Sequence, residues 1–164
     1  ARHTALLQQL RELARVWDAR YVVVDATGIG AGLASFLERS LPDRVIPFVF
    51  SQASKSSLGW DFLSVIESGR YRDYAVETGR KDREQETFWT QLEHCQMEAL
   101  PGPERRLRWG VPDGTRDPAS GARVHDDLIL SAALCAVLDR QVWGTAESQV
   151  VQAVDPLQGF SEVW

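Results

Sequence analysis

The chain has little sulfur and no surplus of positive charge. It carries two cysteines and one methionine in 164 residues. Cys95 and Cys135 stand far apart, each inside an apolar pattern of helical spacing, and neither belongs to a CxxC or Cys/His pair. That excludes a disulfide framework and a thiolate metal site, and both read as buried free thiols of a reducing compartment. Apolar runs long enough for a membrane span, about 20 residues, are missing, and so is a signal-peptide pattern. Eighteen Lys and Arg face 23 Asp and Glu, a net charge of -5. This excludes a uniformly basic coat for nucleic acid but not a local basic patch. An initiating methionine is also lacking. The chain starts Ala1-Arg2-His3 and its only methionine is Met97, so it reads as a fragment of a longer protein. What is present is ordinary: 44% hydrophobic and 25% charged residues, the composition of one globular domain with a real core.

The most informative stretch is Tyr21-Val22-Val23-Val24-Asp25, which runs into Ala26-Thr27-Gly28-Ile29-Gly30-Ala31-Gly32. Tyr21 to Val24 lack polar alternation, so they read as a central strand buried on both faces of a mostly parallel sheet. Asp25 then sits at the strand's carboxyl end, where ligands gather in open α/β sheets. A carboxylate there wants a partner. Two are natural: a metal ion, or the N–H groups of the following turn, as in an Asx-turn or helix cap. The glycines invite a dinucleotide reading, but position 33 is Leu33 and the acidic residue precedes the turn instead of following it.

Around this stretch the chain reads as alternating helices and strands. Leu6, Leu7, Leu10, Leu13, Ala14 and Trp17 form one helical face after a Thr4 cap. A helix to about Arg39 follows the glycine turn. Val45 to Phe50 is a second strand, with Pro47 marking an edge or bulge, and the β-α-β order implies a right-handed parallel crossover. Ser51 to Ser57 is a polar link that carries Lys55 ahead of a third helix, in which Leu58, Phe62, Val65 and Ile66 face inward and Gly69 is the stop. Lys55 is placed to reach a phosphate, or is a solvated loop lysine. Arg70 to Tyr74 is a short strand or extended turn with interleaved basic and aromatic residues. A long helix follows, with Phe88, Leu92, Cys95 and Ala99 inward and Gln91, Glu93 and His94 alongside. His94 reads as a surface helix residue. Leu107 to Val111 is a third clear strand. Residues 112–123 form a long loop or flexible hairpin, whose Arg116 and Arg123 are placed to lie over a polyanion.

Val124-His125-Asp126-Asp127 opens an apolar helix running to Leu138, which reads as buried. One aspartate suffices to cap a helix and complement its dipole. Two adjacent carboxylates beside a histidine exceed what capping requires. From residue 143 to 164 periodicity is lost, which leaves a domain over 1–142 and a tail or linker beyond it.

Three stretches together resemble one family: the Tyr21–Gly32 strand and turn, the Ser54–Gly69 helix with Lys55 and Leu58-Gly59-Trp60-Asp61-Phe62-Leu63, and Trp109 to Leu134 with its His-Asp-Asp. The chain resembles the C-terminal nuclease domain of the terminase large subunit of tailed phages and proviruses, part of a DNA-packaging motor. The resemblance implies an RNase H-like fold, a mixed sheet flanked by helices, with the opening strands and their aspartate lacking here. It implies a metal-dependent endonuclease acting on concatemeric viral double-stranded DNA with Mg2+ or Mn2+. Asp25 matches the central-strand metal ligand. Asp126 and Asp127 both match the helix-start position, and the sequence does not choose between them. The implied partners are the terminase ATPase domain, the small terminase subunit and the portal, in the cytoplasm of a host cell. The chemistry is compatible with the residues, because a hydrated magnesium ion needs only a few carboxylates. Lys55, Arg116, Arg123 and His125 are the candidates for contact with the DNA backbone or with a water. With the first-strand carboxylate lacking, the isolated chain is expected to be weak or inactive. The alternatives are a non-catalytic module that docks DNA or a motor partner on the same fold, and a nucleotide-binding α/β domain favoured only by the glycine turn.

Overall fold

A computed structural model describes residues 2–75, 82–141 and 143, with the side chains of residues 2 and 3 excluded. The expected tail lies outside the described residues, apart from Trp143. The elements run α1 (Arg2–Val16), β1 (Val22–Asp25), α2 (Gly30–Ser40), β2 (Val45–Phe48), α3 (Gln52–Glu67), α4 (Arg83–His94), β3 (Gln96–Ala99), β4 (Leu107–Gly110) and α5 (Asp127–Ala133). A 3-10 helix, Leu134–Arg140, continues α5. The α/β class expected from the sequence is present. Among the described residues no helix is long and apolar enough to cross a membrane.

The strands form two separate pairs among the described residues. β1 and β2 are parallel, with Val22 opposite Val45 and Asp25 opposite Phe48. β3 and β4 are antiparallel, with Gln96 opposite Gly110 and Ala99 opposite Leu107. β1 has no second neighbour in the described sheet, so it is not seen there as a central strand. Its valines are half-buried, not covered on both faces, and Tyr21 lies outside it. The apolar run reported strand propensity, but burial depends on what covers each face. β2 likewise has one neighbour, in keeping with Pro47, which lacks a ladder N–H.

The main core lies between α3, α4, β4 and α5 with its 3-10 extension. It consists of Leu58, Phe62, Phe88, Leu107, Trp109, Ile129, Ala133, Leu134 and Ala136. α3 starts earlier than the sequence suggests, because Ser51 and Ser54 form a capping box. Ser54 N–H donates to Ser51 Oγ at 3.1 Å, and Ser51 N–H donates to Ser54 Oγ at 2.7 Å. Lys55 therefore sits in the first turn of a helix, not in a link before it. α4 ends at His94 instead of running through Ala99. Cys95 takes an extended backbone there, and residues 96–99 pair with β4. The inward spacing of Cys95 and Ala99 continued the helical pattern, but the hydrogen bonds of the ladder prevail. Cys135 is exposed on the 3-10 helix, contrary to the buried thiol expected. α5 is shorter than expected and passes into that 3-10 helix. Residues 70–75 form neither helix nor strand. The 112–123 loop is closed as a hairpin by a bridge between Arg116 and Arg123.

Candidate active site

Asp25 ends β1 and is exposed. Its Oδ1 accepts a hydrogen bond from Thr27 N–H at 2.7 Å, an Asx-turn of the ordinary kind. Thr27 Oγ1 in turn accepts from Phe50 N–H at 2.8 Å and ties the turn to the end of β2. The glycine turn serves close packing. Gly28 has φ +55°, and a Cβ at position 30 would lie 2.3 Å from the carbonyl oxygen of Asp25. α2 can start against the backbone of Asp25 only because Gly30 has no side chain.

The helix-start aspartates are not occupied with capping. Asp126 holds the N-cap position of α5, yet makes no side-chain cap bond. Gln91 does that work from α4. Its side chain is only 5% exposed. Its Oε1 accepts from Leu128 N–H at 2.9 Å and from Ile129 N–H at 3.2 Å. Two helix N–H groups are thereby satisfied by a neutral amide from another element. Both carboxylates are left for other uses.

Those uses differ. Asp126 Oδ2 accepts from Lys55 Nζ at 3.2 Å, and both side chains are largely shielded from solvent. The ammonium also lies 5.6 Å from the centroid of the Trp109 ring. Trp109 Nε1–H donates to the Lys55 carbonyl at 2.6 Å, and Leu107 N–H donates to Ser56 Oγ at 2.8 Å, so the first turn of α3 is fastened to β4. Gly59 permits that approach, since a Cβ there would lie 2.3 Å from Trp109 Nε1. Gly110 permits the ion pair. Its φ is +129°, and a Cβ would lie 2.6 Å from Asp126 Oδ2 and 3.2 Å from Lys55 Nζ.

Asp127 is exposed and faces elsewhere. It lines an open cavity of about 560 Å³ together with Asp25, Thr27, Lys55 and Ser131, with Val23, Val24, Phe50, Leu130 and Leu134 as the apolar wall. Asp25 and Asp127 thus line one cavity, and Lys55 lines both it and a second cavity of about 510 Å³ that contains Asp126. His125 and Arg123 do not line the Asp25 cavity. They line a groove of about 750 Å³ between α4 and the hairpin, which touches the site through Asp127. Arg83, Arg123 and His125 there face Glu84, Glu86, Asp117 and Asp127, a poor charge balance for a polyanion. Arg116 Nη1 donates to Gly121 O at 2.8 Å within its own hairpin. His94 Nδ1 lies 2.9 Å from the Thr90 carbonyl, a local helix contact.

The donor set facing the cavity is two carboxylates, Asp25 and Asp127. Among the described residues no three His, Cys, Asp or Glu groups are placed to hold one metal ion. Two carboxylates suit a hydrated magnesium or manganese ion, which keeps several waters, and do not suit a closed, fully protein-ligated site. The sequence assigns no role to Gln91, Trp109 or Gly110. A signal existed for the first: Gln91 lies three residues after Phe88, beside the inward stripe of α4, and a polar side chain buried there needs a partner. Compared with family models, with curated proteins and with solved structures, the chain matches none.

Proposed function

We propose that this chain carries a metal-dependent phosphodiesterase site, in an RNase H-like arrangement similar to the nuclease domain of a terminase large subunit. The supporting observation is the meeting of Asp25 and Asp127 at one open cavity with Lys55, while Gln91 relieves the helix-start aspartates of capping. Asp25 and Asp127 are the residues to hold a divalent ion. A divalent ion held there, Mg2+ or Mn2+, would supply positive charge for the phosphate and would activate a water. Asp25 is oriented by the Thr27 turn and Asp127 by the first turn of α5. The substrate in this reading is double-stranded DNA, held through its backbone with little base readout. The packaging ATPase domain, the small terminase subunit and the portal are its partners, in the host cytoplasm.

Plasmid nicking tests the reading. The expected result is weak nicking by the isolated chain that requires Mg2+ or Mn2+ and is lost in Asp25→Asn and in Asp127→Asn. Metal-independent nicking, or nicking indifferent to both substitutions, contradicts it.

A second reading has one observation in its favour. A set of only two facing carboxylates is sparse for a nuclease, and a non-catalytic module that docks DNA or a motor partner needs no more. Under that reading DNA binding persists in Asp25→Asn, and no Mn2+ binds.

A further inference from the structure

Lys55 is built into this site with more support than an incidental surface lysine receives. Three elements converge on its ammonium: the first turn of α3 that bears it, the end of β4, and the start of α5. Asp126 pairs with it at 3.2 Å, and the Trp109 ring lies beneath it. Trp109 also fixes its backbone, and Gly110 leaves the room the ion pair occupies. The same lysine lines the cavity that Asp25 and Asp127 share. A cation fixed there cannot be idle toward a second cation, because like charges at close range repel.

We propose that Lys55 supplies the second positive charge of the site, so that the cavity takes one divalent ion instead of two and Asp126 is a partner of Lys55 instead of a metal ligand. The inference rests on the phosphodiesterase reading above and deepens it. Hydrolysis forms a bond from a water oxygen to phosphorus as one P–O ester bond breaks. The attacking water gives its proton to solvent, and the leaving oxygen takes a proton from water. Lys55 transfers no proton in this account. Its ammonium balances negative charge that gathers on the phosphate oxygens, the role a second metal plays in two-metal sites. A fixed charge of this kind needs no reorganisation during the reaction.

The division of labour between the two aspartates follows. Removing Lys55 leaves Asp126 unpaired beside a cavity open to ions. That carboxylate then becomes available to a second divalent ion. Lys55→Arg keeps the charge and so keeps the site closed to it.

Counting bound Mn2+ by electron paramagnetic resonance, with DNA of non-cleavable backbone present, decides the matter. The wild type is expected to bind one Mn2+ per chain at the site, Lys55→Arg one, Lys55→Met two, and Lys55→Met/Asp126→Asn one again. Thermal melting of each variant checks that it is folded, and the Arg variant and the double variant keep the comparison decisive if Lys55→Met alone is unstable. Two Mn2+ in the wild type overturn the inference and leave the phosphodiesterase reading standing. One Mn2+ in Lys55→Met also overturns it. No Mn2+ in the wild type sinks the phosphodiesterase reading itself, and this inference with it. Nicking by Lys55→Met is expected to fall by about a hundredfold at low Mn2+ and to recover in part as Mn2+ is raised. Nicking that stays low at every Mn2+ concentration counts against replacement of the charge by an ion.

Discussion

The first 48 residues and the segment from 52 to 141 are packed to different degrees. Among the described residues of the first segment the buried side chains are Ala14, Ala26, Ala34 and Leu37, three of them small. Leu6, Leu13, Val16, Trp17, Ile29 and Phe36 are exposed there, with Trp17 at 79%. In the second segment nine residues, including Phe62, Phe88, Trp109 and Ile129, form one cluster. The candidate site draws Asp25 from the first segment and Lys55, Asp126 and Asp127 from the second. Three of the four charged groups are thus anchored in a well-packed region, and the fourth rides on a half-buried strand. The Lys55–Asp126 arrangement is therefore the part of the site tied into the packed core. The distance from Asp127 to Asp25 is the part most open to adjustment.

Substitutions in the two segments give a graded series that sharpens or breaks this contrast. Ile129→Ala removes a side chain that is 1% exposed, and is expected to cost about 2–5 kcal/mol in urea unfolding. Val23→Ala, on half-buried β1, is expected to cost about 1 kcal/mol or less. Similar losses at both positions break the contrast. Gly110→Ala is expected to cost about 1–3 kcal/mol, from its positive φ and its clash with the ion pair. The same change costs less when Asp126→Ala is already present, because the clashing oxygen is gone. Full additivity places the strain in the backbone alone. Gln91→Leu leaves two helix N–H groups without an acceptor, at a cost of about 1–3 kcal/mol. Amide exchange at Leu128 and Ile129 is expected to quicken, and unchanged exchange there means another group caps α5.

The smallest effect concerns pH. The hydrogen bonds from Arg70, at 3.0 and 2.8 Å, hold the Asp139 carboxyl below its ordinary range. A depressed carboxylate contributes stability above its unfolded pKa and loses it as pH falls through the folded value. The wild type is expected to lose slightly more stability than Asp139→Asn between about pH 5 and pH 2. Both groups are exposed to solvent, so the difference is small. Equal loss in the two proteins removes the contribution.

Much of this was legible in the residues, and the illegible part has physical causes. β1, β2 and the βαβ order follow from β-branched runs punctuated by glycine and proline, and β4 from the short apolar stretch around Trp109. The position of Asp25 at a strand's end follows from Val22-Val23-Val24 alone. The depth of β1 was not legible, because an apolar run records propensity and not the cover on each face. The end of α4 was not legible either. Cys95 and Ala99 keep the helical spacing, and only pairing of residues 96–99 with β4 ends the helix. The choice between Asp126 and Asp127 also lay beyond the sequence. Adjacent residues at a helix start point different ways, and Lys55, 71 positions away, determines which of them is paired.

The most direct test of the central claim, that Asp25 and Asp127 form one cation site, is a double-mutant cycle on Mn2+ affinity with Asp25→Asn, Asp127→Asn and the pair together. If both carboxylates hold the same ion, each single change weakens binding by at least about tenfold, and the double change falls well short of the product of the two. Wild-type affinity in either single variant, or strictly additive losses, would contradict the claim.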